Sequence, residues 1–274
     1  MEMPKRFLVT RPDRKLAMME EEGLMPIPYL RRLTGSDRSR TANRQLAHFL
    51  AFIAGAANAG GYVAVKQYTS HMSGIVSAMA DATAVQDLGW LAAGTSALVA
   101  FLAGAASTAI LVNWGRRRDL NSEYALPLMV EAGLLLCFGL TGAHLERHEW
   151  FVLPATVALL CFTMGLQNAI ITKISQAEIR TTHLTGMVTD IGIELGKAMY
   201  WNRRDSERTA VQADLDKLWL LISLVGLFFI GGVAGAVGFK HVGFIATLPL
   251  AVVLLMLAVV PVVDDLRERG MGTL

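Results

Sequence analysis

Charge is scarce in this chain: Asp, Glu, Lys and Arg together make up 18% of its 274 residues, while 53% are hydrophobic. A soluble domain has no use for so much apolar surface, and the mean hydropathy of +0.44 places the chain among integral membrane proteins. Cysteine is almost missing. Cys137 and Cys161 both fall inside apolar runs, which excludes a disulfide framework and a thiolate metal site and predicts two small core residues. No basic block is interleaved with aromatic residues, so nucleic acid is not an expected partner. Residues 1–45 lack the apolar core of a signal peptide; they carry ten Lys or Arg, with Pro4, Pro12, Pro26 and Pro28 set against any long helix. That composition predicts a flexible cytoplasmic tail.

From Leu46 onward, apolar segments cover about 46–66, 89–113, 124–144, 150–172, 218–238 and 242–263. Each is long enough to cross a hydrocarbon core of about 30 Å. Two further stretches, 70–86 and 181–198, read as helical but carry Ser, Thr, His, Asp and Glu throughout. They are too polar to face lipid on all sides. The positive-inside rule arbitrates their role. Without them as crossings, 22 Lys and Arg lie inside and 3 outside; with both crossing, the split is 18 against 7. Six crossings are therefore expected, with both termini cytoplasmic and the polar stretches as re-entrant or broken helices at the centre, where protein or water surrounds them.

The polar stretches are also copies of each other. Ser70-His71-Met72-Ser73-Gly74-Ile75-Val76-Ser77 aligns by residue type with Thr182-His183-Leu184-Thr185-Gly186-Met187-Val188-Thr189, and upstream Gly55-Ala56-Ala57-Asn58-Ala59 aligns with Gly165-Leu166-Gln167-Asn168-Ala169. Three crossings per half is an odd number, so the second copy enters the membrane inverted. The predicted fold is an all-α integral membrane protein of six transmembrane helices, built as two inverted three-span repeats, each with one additional polar helix. The first repeat covers 46–145 and the second 150–265, with 266–274 as a cytoplasmic C-terminus. Inverted repeats put discontinuous helices near the midplane, where transporters build their sites.

The blocks Phe49–Tyr62, Ser70–Val76, Phe162–Ala169 and Thr181–Val188 resemble the YoaK family of bacterial membrane proteins, a domain of unknown function with an M-T-G-N-like motif after the first helix. Here Met72-Ser73-Gly74-Ile75 stands at that motif and Asn58 where an Asp is common. The resemblance implies a multi-spanning protein of the bacterial inner membrane and lends no activity.

A helix that opens at membrane depth exposes unpaired N–H groups and the positive end of its dipole, which attract an anion or polar solute. Ser70, Ser73, Thr182 and Thr185 are candidate caps, and Gly74 and Gly186 would let another backbone or a ligand approach closely. His71 and His183 hold equivalent places and are candidates for donating to a solute or exchanging protons. Asp81 and Asp190 lie ten and seven residues beyond them, so each is predicted to share its histidine's helical face and to extend a proton path. Asn58, Gln167 and Asn168 put amides on the first helix of each half, for a solute or for bridging helices. Glu194 reads as an end-of-helix carboxylate reaching the interface, and Glu131 has no evident cation. The pairs Gly192/Gly196 and Gly231/Gly235 are close-packing signals, internal or dimeric, which leaves a homo-oligomer open. Simple small-residue packing explains the Ser, Thr and Gly equally well.

No metal spacing and no cofactor motif occurs, and a hydrolase using Ser73 ranks last, because catalysis needs unlike groups where this chain offers two copies of one motif. The chain is read as no enzyme. Its expected partners are the bilayer and a small polar or anionic solute carried by a transporter or channel-like permease. The alternative is a membrane sensor or scaffold acting through the N-terminal tail.

Overall fold

The computed structural model describes residues 26–35, 39–142, 149–174, 183–200 and 211–271; Thr182, the first 25 residues and the charged stretch 201–210 lie outside them. The described residues are helical. α1 spans Pro26–Thr34, α2 Arg40–Val65, α3 Met72–Ala84, α4 Leu88–Arg117, α5 Ala125–Gly142, α6 Glu149–Ile174, α7 Leu184–Met199, α8 Leu215–Val242 and α9 Thr247–Met271, with a 3-10 turn at Gly243–Ala246 between the last two. Among the described residues, four apolar segments are long enough to cross a membrane: Arg40–Val65, Leu88–Arg117, Val152–Ile174 and Leu215–Glu268. The last, at 54 residues, would be about 81 Å long as one helix. It is instead broken where Gly243 takes a φ of +63°, a backbone state that glycine adopts without strain.

Helix boundaries follow local chemistry. Asp87 caps α4 by accepting hydrogen bonds from the backbone N–H groups of Gly89 and Trp90, and Asp214 caps α8 by accepting from Lys217. α2 ends at Lys66, whose φ of +55° is the left-handed turn that closes a helix. Pro26 occupies the first position of α1, where a missing N–H costs nothing. The segment from 26 to 34 is thus helical rather than part of a featureless tail. Arg31 clamps α1 to α9 through a two-pronged ion pair with Asp264, at 2.7 and 2.9 Å. Beside it, Asp265 is buried and accepts the backbone N–H groups of Asn121 and Ser122, tying the α4–α5 turn to α9.

The packing rests on one device used four times. Phe-x-x-Gly recurs as Phe52–Gly55 on α2, Phe101–Gly104 on α4, Phe162–Gly165 on α6 and Phe228–Gly231 on α8. α2 crosses α8, and α4 crosses α6. At each crossing the glycines sit on the partner's carbonyl: Gly55 on Phe228 O, Gly231 on Phe52 O, Gly104 on Phe162 O and Gly165 on Phe101 O. A Cβ at any of them would overlap backbone oxygen, so only glycine lets the two helices approach this closely. Thr108 Oγ1 donates to Leu166 O at 2.9 Å across the α4–α6 crossing, and Gln167 Nε2 donates to Leu50 O at 3.3 Å.

Some large apolar side chains pack inside, Leu128, Leu135 and Leu254 among them, while others point outward. Leu102, Ile110, Phe229 and Ile230 are more than half exposed, a surface that suits lipid rather than water. Cys137 shares that exposed surface, contrary to the expected core position, because α5 turns it away from α6 and α9; Cys161 is buried as expected. The outward apolar faces and long apolar helices suit a multi-pass membrane protein.

Candidate functional site

α3 and α7 are short: 13 and 16 residues, or about 20 and 24 Å, against a hydrocarbon core of about 30 Å. Each starts at the same place in its motif. His71 precedes α3 and His183 precedes α7 as N-cap residues, and neither side chain bonds the helix start. The first N–H groups of both helices are therefore left without a side-chain cap. Ser70 does not cap α3, because the helix begins two residues beyond it; its hydroxyl turns back and donates to Asn58 Oδ1 at 3.0 Å. Ser73 and Thr185 lie just inside the helices rather than capping them.

Gly74 and Gly186 each admit a close approach from a side chain of their own helix start. A Cβ on Gly74 would stand 2.6 Å from His71 Nδ1, and one on Gly186 would stand 2.5 Å from His183 Nδ1. The missing side chains make room for the preceding imidazoles and lay each ring against its own helix. Helix start, histidine and glycine form one local unit, present twice.

The two units meet in one cavity of about 830 Å³. Its polar wall comprises Asn58, Ser70, His71 and Ser73 from the first half, with Asn168, Thr172, His183 and Thr185 from the second. Its apolar wall includes Phe101 and Phe228, the residues whose carbonyls rest on Gly165 and Gly55. The glycine crossings thus set both the helix spacing and the aromatic walls. No carboxylate, Lys or Arg lines this cavity among the described residues.

Other expected members lie elsewhere. Gln167 is fully buried and bridges to α2 instead of lining the cavity, as a long amide facing a neighbouring helix will. Asp81 is exposed and outside the cavity wall. Asp190 pairs with Lys217 on α8 at 3.2 Å, a cation that draws it away from His183. Glu194 is buried, accepting from Lys197 Nζ at 2.9 Å and from Asp214 N–H at 2.9 Å. It ties the end of α7 to the start of α8 rather than reaching solvent. These two bonds and the nearby ammonium groups, the Lys197 bond foremost, hold its carboxyl below the ordinary range. Glu131 is fully buried on α5, with no partner for either oxygen among the described residues.

Gly231 and Gly235 pack internally against α2, whereas Gly192 and Gly196 meet nothing within 4 Å. Among the described residues no cluster of His, Cys, Asp and Glu could hold a metal.

Phe101, Phe228, Tyr68 and Thr172 were not anticipated. The signal for the two phenylalanines was present in the sequence as a Phe-x-x-Gly on each of four apolar helices, with Phe101–Gly104 and Phe228–Gly231 offset by 127 residues where Phe52–Gly55 and Phe162–Gly165 are offset by 110. A search for one constant offset misses it, because the second half has a longer stretch between its polar helix and the next apolar one.

The family described as "Protein of unknown function (DUF1275)" matches residues 46–260. That span holds the four motif blocks and leaves out the N-terminal segment, although the match does not carry the YoaK name. No curated protein and no solved structure matches the chain.

Proposed function

We propose, from the premise that this chain belongs to the DUF1275 family, that it is a permease for a small polar or anionic solute, with the paired histidine units as its central site. The observation that carries the reading is the shared cavity. His71 and His183, Asn58 and Asn168, Ser73 and Thr185, Phe101 and Phe228 face it as equivalent pairs from the two halves. A structural scaffold has no need to gather hydroxyls, amides and imidazoles around a void in an apolar bundle, where each unpaired polar group costs stability.

In this reading α2, α4, α5, α6, α8 and α9 cross the membrane, and α3 and α7 enter it partway with their N-termini at the centre. The halves are inverted copies. Support comes from the reciprocal crossings of α2 with α8 and α4 with α6, which exchange under a twofold operation, and from the shortness of α3 and α7. Solute oxygens would be met by the uncapped N–H groups and by the hydroxyls and amides. The imidazoles are the groups placed to exchange a proton with the solute or its water. The carboxylates Asp81 and Asp190 have no part in that exchange. The YoaK name, the bacterial inner membrane and cytoplasmic termini belong to the same proposal.

The test is uptake of a metabolite mixture into proteoliposomes. The expected result is flux that vanishes in the His71→Ala, His183→Ala double variant while insertion and melting temperature are retained; full flux in that variant removes the site. A sensor reading has one observation behind it, the clamp of α1 onto α9 by Arg31 and Asp264. Deleting residues 1–25, which leaves α1 intact, separates the two: a permease keeps its flux.

A further inference from the structure

A second cavity of about 820 Å³ adjoins the first, and Tyr68 and His71 line both. Its lining comes from the first half apart from Leu153, so it stands as a vestibule that meets the central cavity at these two side chains. Its wall is aromatic: Tyr62 and Tyr68 stack at 4.6 Å between ring centroids with 20° between planes, and Trp90 lies at the start of α4. Its single formal charge among the described residues is Lys66. The Lys66 side chain forms no ion pair or hydrogen bond among the described residues. Asp87 borders the adjoining recess of about 420 Å³; its Oδ1 accepts the N–H groups of Gly89 and Trp90 at the start of α4, which holds its negative charge at that helix start rather than on Lys66.

Two features set Lys66 apart. It occupies a left-handed backbone position, φ +55°, where glycine or asparagine is the low-strain choice and a long side chain carries a cost. The turn it makes also returns the chain so that Tyr68 stacks on Tyr62. One residue therefore sets both the charge and the aromatic wall.

Resting on the permease reading, we infer that this vestibule is a binding site for an aromatic or similarly planar organic carboxylate, whose charge pairs with Lys66 and whose ring lies among Tyr62, Tyr68 and Trp90. Charge and ring faces select together. A small aliphatic acid lacks the ring, and an aromatic amine meets like charge at Lys66. The Tyr68–His71 partition is then the point of transfer to the central cavity, where the uncapped helix starts replace the ammonium as the anion's partner.

The experiment titrates benzoate, acetate and benzylammonium calorimetrically onto the full chain in nanodiscs of phosphatidylcholine. Benzoate should bind, acetate at least about tenfold more weakly, and benzylammonium not measurably. Lys66→Asn removes the charge while favouring the left-handed turn, so the fold is kept; it should weaken benzoate about fivefold, the upper end for an exposed ion pair. Lys66→Arg should restore binding, and Trp90→Ala should weaken benzoate without changing the preference for anion over cation. Equal affinity for benzoate and benzylammonium, or no effect of Lys66→Asn, overturns the assignment. So does loss of benzoate binding when phosphatidylglycerol replaces part of the phosphatidylcholine, which would give the vestibule to an anionic headgroup. If benzoate binds as described but the double histidine variant still transports, the vestibule stands and the permease site falls. If Lys66→Asn is silent while that variant is dead, the reverse holds.

Discussion

Two sets of glycines do different work in this molecule. Those at the helix crossings, Gly55, Gly104, Gly165 and Gly231, face backbone carbonyls of the partner helix; those of the polar helices, Gly74 and Gly186, face a histidine side chain. Backbone in a packed bundle cannot step aside, whereas an imidazole at the edge of a cavity can rotate away. The same residue type is thus structural in one region and positional in the other. The difference lies in what a methyl group would strike.

Substitution at the crossings should have the largest effect. Gly104→Ala or Gly231→Ala should destabilise the protein by about 3 kcal/mol, the upper end for overpacking, seen as a lower melting temperature in detergent. A variant of wild-type stability would erase the distinction between the two sets. Next comes the double variant His71→Ala, His183→Ala, which should abolish uptake with an unchanged melting temperature, the opposite pattern to the crossings. Gly74→Ala should sharpen the comparison further. It displaces the imidazole without breaking a helix contact, so uptake should fall several-fold while stability stays within about 0.5 kcal/mol, as for other substitutions outside the core. Added to His71→Ala, it should have no further effect, since the group it displaces is already gone.

The smallest effect concerns Glu194, which lies outside the crossing helices. Its carboxyl is held below the ordinary value of 4.5 in the folded protein, so its stabilisation is present above that pH and is lost as pH falls through the folded value. Melting temperatures at pH 7 and pH 4 should show a loss on acidification that is smaller in Glu194→Gln. An equal loss in both would show that the tie between α7 and α8 contributes nothing.

Much of the architecture was legible because helix length and apolarity are local properties. The expected apolar segments fall in α2, α4, α5, α6, α8 and α9 with ends displaced by up to eight residues, and the polar stretches fall in α3 and α7. The cavity residues Asn58, Ser70, His71, Ser73, Asn168, His183 and Thr185 were legible through duplication. Gln167, Asp81 and Asp190 were misplaced for one reason: helical spacing tells which residues share a face, not which neighbour that face meets. Lys217 is 27 residues from Asp190 in the chain and 3.2 Å away in space, and nothing near Asp190 announces it. Pro26 and Pro28 misled in the other direction, because proline ends helices in their interior but begins them at the first turn.

The sequence by itself determined where the helices run, that two polar helices are copies, and that Phe-x-x-Gly segments were available on four apolar helices, because each follows from spacing along one chain. The tertiary structure alone decided that each glycine rests on the carbonyl of a phenylalanine in the other half, and that both imidazoles consequently line one cavity. Those contacts join residues about 60 to 180 positions apart, and closeness at that range is a property of packing that no local pattern encodes.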